Sequence, residues 1–220
     1  KQLIDDLLAL SRAEGRGTDM EPVDLALLVR EAVTDVRITA ARRGIHLHVD
    51  TPDDVVPVLA DRAMLHRALC NVLTNAVKFS NEHGSVEVAL HTSGAIAEVS
   101  VADHGIGIPA AESDRLGTRF FRASNAVRNE IAGTGLGLRI MQTIIDKHDG
   151  DVVIDSTEGA GTTVTVRLTL HPDAVPAPPL HELVDAEEAP GARTVDELLV
   201  ARAEVDPTLP RIVPAFPRRR

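Results

Sequence analysis

The chain has 220 residues, 44% of them apolar, which is enough for one substantial core with an appendage. A formal charge of -10 and a pI near 5.3 exclude a general nucleic-acid binder, because phosphate backbones are held by clustered Lys and Arg, and only Arg218, Arg219 and Arg220 cluster here. One cysteine, Cys70, excludes an internal disulfide and reads as a packed small hydrophobe; no signal-peptide pattern and no apolar run of about eighteen residues gives the chain itself an export route or a membrane span.

The first residue is Lys1 rather than Met, which gives the expectation of a piece of a longer protein. Leu3, Leu7 and Leu10, with Ile4 and Leu8 beside them, form one helical stripe up to Glu14, and Gly15 and Gly17 end it. A helix this short is marginal alone, so its apolar face is expected to pack on another helix, in the same chain or in a second copy. After a break at Pro22, Asp24 is placed to cap a second helix with Leu25, Leu28, Ala32, Val33, Val36 and Ala40 at spacings of three and four, stopped by Gly44. Ile45 to Asp50 alternates as a half-buried strand. His46 and His48 fall on its exposed side, and no third ligand near in sequence makes them a metal pair. Pro57 to Ala60 is a short extended piece, and Asp61 is the expected N-cap of a third helix, closed by Gly84.

That third helix contains the stretch Asn71 to Ser80, N-V-L-T-N-A-V-K-F-S. At one hundred degrees per residue, Asn71, Asn75 and Lys78 share a narrow stripe, while Leu65, Leu69, Val72, Leu73 and Ala76 cover the opposite side. Two carboxamides and an ammonium can offer oxygen to a hard cation and positive charge to phosphate oxygens; the same stripe can also be a solvated polar face. Two strands follow, Ser85 to His91 with Val86, Val88 and Leu90 inward, and Ala95 to Ala102 with Ala97, Val99 and Val101 inward, joined by a turn at Ser93-Gly94. One more step of the same parity turns Asp103 inward, where it is either a turn-forming Asp or a carboxylate that accepts from a ligand N–H. The continuation D-H-G-I-G-I-P favours the ligand, since Gly105 and Gly107 let backbone approach a flat molecule and Pro109 fixes the exit.

From Ala110 to Gly133 periodicity weakens, and Phe120, Phe121 and Arg122 stand in this segment as a group expected to close over something. Gly133, Gly135, Gly137 and Leu138 open a helix with Ile140, Ile144 and Ile145 inward and Lys147 and His148 suited to its C-terminal dipole. Glycines at a helix start leave N–H groups free for phosphate, although this is neither a phosphate loop nor a dinucleotide fingerprint. A last hairpin runs from Asp151 to Ser156 and from Thr162 to Leu170, with Thr162 on the inward parity. Beyond Leu170, repeated Pro alternates with Asp and Glu, which reads as a disordered acidic tail with a brief helix at Thr194 to Glu204.

Four motifs stand in order, N-V-L-T-N-A-V-K-F-S, D-H-G-I-G-I, R-F-F-R and G-T-G-L-G-L, closed by E-G-A-G-T-T. Over roughly residues 1 to 170 the chain resembles the catalytic ATP-binding domain of a bacterial sensor histidine kinase, in the wider superfamily of gyrase, Hsp90 and MutL. The resemblance implies a Bergerat-type α+β two-layer sandwich, a mixed and mostly antiparallel sheet with helices on one face. It divides the chain into the end of a second dimerisation helix (1–17), the ATP-binding domain (18–170) and the tail (171–220). It implies ATP and Mg²⁺ as cofactors: Asp103 reads the adenine amino group, Gly105 and Gly107 shape its pocket, Asn75 ligates Mg²⁺, and Asn71 and Lys78 stand near the phosphates. Gly133, Gly135, Gly137 and Leu138 match the lid edge. Thr162 matches the threonine that supports adenine recognition, and Phe120, Phe121 and Arg122 match the motif linking lid and domain.

Hydrolytic relatives carry a general-base Glu four residues before the Mg²⁺ ligand, where this chain has Asn71, so the resemblance favours a kinase over an ATPase. The implied acceptor is a histidine on a dimerisation helix before Lys1, for relay to a response regulator receiver domain, in a homodimer. The implied location is the cytoplasmic portion of a kinase attached to a membrane only through a missing N-terminal part. His181-Glu182-Leu183 superficially resembles an acceptor motif but lacks the following Arg/Lys and Pro. Gly117 departs from the family, which carries a bulky residue there. The competing readings are a nucleotide-binding regulatory module without transfer and an anti-sigma-type serine kinase, the latter disfavoured by the helix at Leu3 to Arg12.

Overall fold

Alternating apolar runs build the centre of the molecule by pairing with one another. In the computed structural model, which describes residues 2–15 and 17–174, β4 (Ser85–Ser93), β5 (Ile96–Asp103) and β7 (Gly161–Thr169) lie side by side. β2 (His46–Asp50) flanks β4 and β6 (Asp151–Thr157) flanks β7, giving the order β2-β4-β5-β7-β6. Only β2 and β4 run parallel, so the sheet is mixed and mostly antiparallel, as expected. Val86, Val88, Leu90, Ala97, Val99, Val101, Val166 and Leu168 are buried on one face. Against that face pack α2 (Leu25–Arg42), α3 (Arg62–Phe79) and α5 (Gly137–Lys147), whose apolar stripes join the strands in one core.

Both expected caps form. The Asp24 carboxylate accepts from the Ala26 N–H at 3.0 Å and the Asp61 carboxylate from the Met64 N–H at 3.0 Å, which starts α2 and α3 at fixed points. The chain departs from its sequence pattern in three places. Pro22 is not a simple break but sits in β1 (Glu21–Asp24), which pairs antiparallel with β3 (Pro57–Ala60) in a separate two-stranded sheet whose edge tolerates a residue without N–H. α3 ends at Phe79 rather than at Gly84: the Arg43 guanidinium donates to the carbonyls of Val77, Lys78 and Ser80 and so satisfies the end of the helix. His148 is not a charge for the dipole of α5. It is 7% exposed, its Nε2 accepts from the Asp61 N–H at 3.0 Å and its Nδ1 lies 2.7 Å from the Ile144 carbonyl, an arrangement that only the neutral ring satisfies.

α1 (Gln2–Glu14) lies against α5 with Leu10 and Ala13 buried, while Leu3, Ile4, Leu7 and Leu8 remain exposed. Lys147 Nζ donates to the Gly15 carbonyl and Arg119 pairs with Glu14 at 2.5 Å, which fixes the end of α1 to the sandwich. The reading of the acidic tail, with its brief helix and His181, lies outside the described residues. Among the described residues no helix is long and apolar enough to cross a membrane.

Candidate nucleotide site

A cavity of about 360 Å³ opens between α3, the inner face of β5 and β7, and the segment from Ile106 to Leu138. Asn71, Asn75 and Lys78 all line it, so the polar stripe of α3 faces this cavity rather than bulk water. Its opposite stripe, including Leu65, Leu69, Val72 and Leu73, is buried in the core, which fixes the rotation of the helix.

The β5 side of the cavity wall is acidic. Asp103 is the last residue of β5, 7% exposed, with its Oδ1 accepting the Gly105 N–H at 3.0 Å. Burial pushes its carboxyl up to about 6, against the lowering effect of backbone hydrogen bonds from Gly105 and Thr162 and of the nearby His104. Thr162 pairs with Asp103 across the β5–β7 ladder, lines the cavity, and places its hydroxyl 2.9 Å from that of Ser156. Gly107 also lines the cavity at φ +55°, where a Cβ would stand 1.9 Å from the Thr157 carbonyl oxygen. Gly105 lies behind the wall: a Cβ there would stand 2.0 Å from the Phe79 carbonyl oxygen, so this glycine lets the loop lie on the end of α3.

The wall formed by α3 and the covering segment is cationic, with Lys78 and with Arg122, whose guanidinium also donates to the Ile131 carbonyl. Lys78 sits over the Phe79 ring, 4.4 Å from its centroid, and its ammonium is held below the ordinary lysine range first by burial and then by Arg122. Among the described residues neither Lys78 nor Arg122 forms an ion pair. Asn71 Nδ2 is buried without a hydrogen-bond partner, and α5 begins at Gly137 with no side-chain cap. A Cβ on Gly137 would lie 3.8 Å from both Asn71 Oδ1 and Asn75 Nδ2, so the positive end of α5 and the two carboxamides converge on one place. Two neighbouring cations, an orphan amide donor and an uncapped helix start are what a polyanion would satisfy; carboxamide oxygen beside them suits a hard cation.

The segment over the cavity is stapled at both ends. Gly135 lies at φ +72° against the backbone of Phe120 and Phe121, and the Phe120 N–H donates to the Gly135 carbonyl at 3.1 Å. Phe121, Arg122, Gly133, Gly135 and Leu138 line the cavity, whereas Phe120, itself at φ +64°, is 57% exposed and lies outside the wall. Gly117 lies at φ +75°, a conformation that strains any L side chain, while the nearest obstacle to a Cβ there, Gln142 Oε1 at 2.0 Å, is the movable tip of a flexible side chain; backbone conformation rather than space disfavours the bulky residue that the resemblance leads one to expect.

Several wall residues escape sequence reading. Asn125, on the short α4 (Ser124–Arg128), is 4% exposed and its amide donates to the carbonyls of Ile106 and Gly107 at 3.2 and 2.9 Å, tying the covering segment to the loop after β5. Its stretch has no periodicity to mark it. Met141, Ile106 and Ile154 supply apolar wall, and Asp6 reaches the cavity from α1, accepting from the Thr134 hydroxyl at 2.7 Å.

Residues 60–172 match the family described as histidine kinase-, DNA gyrase B-, and HSP90-like ATPases. The sensor-like histidine kinase SenX3 of Mycobacterium tuberculosis is 32% identical over 211 residues, covering 95% of this chain and 49% of the relative. The chain thus spans about half the length of the SenX3 kinases it matches. Among solved structures, the mycobacterial sensor histidine kinase MprB superposes with a TM-score of 0.61 at 32% identity, covering 70% of this chain and 99% of that one. Full-length ShkA in complex with AMPPNP superposes with a TM-score of 0.67 at 26% identity, covering 80% of this chain and 37% of that one.

Proposed function

Because the chain belongs to the histidine kinase-, DNA gyrase B-, and HSP90-like ATPase family and carries the ATPase domain of a histidine kinase, we propose that it holds Mg²⁺-ATP in this cavity and presents the γ-phosphoryl group to a histidine. The observation that carries the reading is the mixed polarity of the cavity wall, which holds the buried Asp103 carboxylate from β5 and Lys78, Arg122 and the Asn71–Asn75 pair from α3 and the covering segment. ATP has the complementary groups, an amino-bearing base and a triphosphate.

Asp103 accepts from the adenine amino group, with Thr162 behind it and Gly107 against the ring. Asn75 supplies a carboxamide oxygen to Mg²⁺, which neutralises charge on the phosphates when bound. Asn71, Lys78 and the start of α5 take phosphate oxygens. Position 71 cannot remove a proton from water, so the chain's residues position the triphosphate without a base beside it, and the group awaits an external nucleophile. The acceptor is a histidine on a dimerisation helix pair, from which the phosphoryl group passes to a response regulator receiver domain. α1 is the end of the second helix of such a pair, and exposed Leu3, Ile4, Leu7 and Leu8 form the face it presents to the other helices.

The test supplies a histidine-bearing dimerisation helix pair as a separate polypeptide with γ-labelled ATP and Mg²⁺. Acid-labile label on that polypeptide, absent with Asn75→Ala, is the expected result. Label released only as inorganic phosphate overturns the proposal.

A further inference from the structure

His66 and Cys70 lie one turn apart on α3, outside the stripe that faces the nucleotide cavity. Opposite them on α2 stands Asp35. His66 Nε2 is 3.5 Å from Asp35 Oδ2, Cys70 Sγ is 3.9 Å from the same oxygen, and Cys70 Sγ is 3.9 Å from His66 Nε2. Three ligand atoms of three kinds, from two helices, therefore form a closed triangle. The exposed pair Glu31–Arg62, 2.5 Å apart, lies one turn earlier on both helices, in the same register that sets Asp35 against His66.

A tetrahedral Zn²⁺ bound to sulfur, imidazole nitrogen and carboxylate oxygen sets its ligand atoms about 3.3–3.6 Å apart, from ordinary bond lengths to the metal. The observed triangle is wider by only a few tenths of an ångström; Cys70 Sγ also lies 3.8 Å from His66 Nδ1, so closing the site requires the His66 ring to turn until one nitrogen faces the space between thiol and carboxylate. The donor set also discriminates: thiolate and imidazole are poor ligands for Mg²⁺ or Ca²⁺ and good ones for Zn²⁺ and its neighbours. His66 and Cys70 are half-buried and Asp35 is exposed, so the site is anchored on α3 and open to solvent on the α2 side.

We propose that Asp35, His66 and Cys70 bind a zinc-class transition metal with three protein ligands and a fourth position left to water. Binding releases the thiol proton to solvent and clips α2 to α3, the helix that carries Asn71, Asn75 and Lys78 on another face. The site is separate from the nucleotide cavity and stands or falls independently of it.

Cys70 is the only cysteine in the chain, so a thiolate-to-metal absorption band reports on this site alone. The full 220-residue chain, purified without a histidine tag and stripped of metal, is titrated with Co²⁺. The expected result is a thiolate-to-cobalt charge-transfer band that saturates at about one equivalent and is bleached by Zn²⁺. Cys70→Ser abolishes the band, and His66→Gln and Asp35→Asn each weaken binding at least about tenfold. Zn²⁺ also raises the Tm of the parent and not that of Cys70→Ser. Unaltered circular dichroism confirms that His66→Gln and Asp35→Asn fold, which keeps the test valid should Cys70→Ser prove unstable. Absence of the band, or a band of unchanged affinity in both His66→Gln and Asp35→Asn, overturns the proposal.

Discussion

Asp103 is pulled two ways, and the pull sets a pH dependence. Its carboxyl, at about 6 in the free fold, lies above its ordinary value of 3.8 because burial penalises the charge. In the ligand-free protein its contribution to stability is therefore fully present below the ordinary value and lost as pH rises through about 6. Nucleotide binding has the opposite sign, since only the ionised carboxylate accepts from an amino group on all its free lone pairs. Calorimetry across this range is predicted to show Mg²⁺-ATP affinity falling as pH drops through about 6, with Asp103→Asn flat over the same range. A second residue-scale prediction concerns Asn71. Asn71→Glu places a base beside the phosphates and is predicted to raise phosphate release from ATP about a hundredfold, the lower end of what general-base catalysis supplies. Both residues are legible from the sequence, Asp103 by strand parity and Asn71 by helical spacing, because backbone geometry alone dictates which way each faces. Asn125 is not, because its position comes from a tertiary contact with the loop after β5 rather than from any repeat in its own segment.

At the scale of elements, periodicity identifies the long helices and the hairpins, and capping carboxylates fix where α2 and α3 begin. It fails where a short piece is made by its partner. β1 contains Pro22 and exists because β3 lies beside it; the sequence of four residues carries no alternation long enough to see. His148 shows the same limit. Its place after Lys147 suggests a charge at a helix end, yet it is buried as a bridge from the end of α5 to the start of α3. Removing it leaves the Asp61 N–H without its acceptor, so His148→Ala is predicted to destabilise the fold by about 1–3 kcal/mol in urea unfolding. The neutral ring also predicts that a charged replacement, His148→Lys, does worse than alanine, the reverse of what a dipole role would give.

For the whole molecule, the sandwich and α1 meet at the cavity proposed to hold nucleotide. Asp6 accepts from Thr134 within the glycine segment and lies 3.9 Å from Arg67, so a helix expected to belong to the dimerisation unit places a negative charge on the cavity wall. A triphosphate entering there meets like charge. Asp6→Asn is predicted to tighten Mg²⁺-ATP binding several-fold in a direct titration, with the effect shrinking as salt rises. The helices and hairpins follow from patterns that the chain displays locally, whereas the sheet order, with its parallel β2–β4 pair and β5 beside β7, comes from long-range pairing. The partner that α1 docks on, the exposure of Phe120 and the meeting of Asp35 with His66 and Cys70 follow from tertiary packing, although the apolar stripe of α1 and the one-turn spacing of His66 and Cys70 are themselves visible in the sequence.

The central claim is that one cavity holds Mg²⁺-ATP with Asp103 reading the base. Calorimetric titration of the parent, Asp103→Asn and Asn75→Ala with Mg²⁺-ATP near neutral pH tests it most directly. The account predicts saturable one-site binding by the parent and a loss of about 10–100-fold in Asp103→Asn, the worth of a hydrogen bond to a charged group. It predicts weakening in Asn75→Ala that disappears when Mg²⁺ is removed. No saturable binding by the parent, or an Asp103→Asn variant that binds as tightly as the parent, would contradict it.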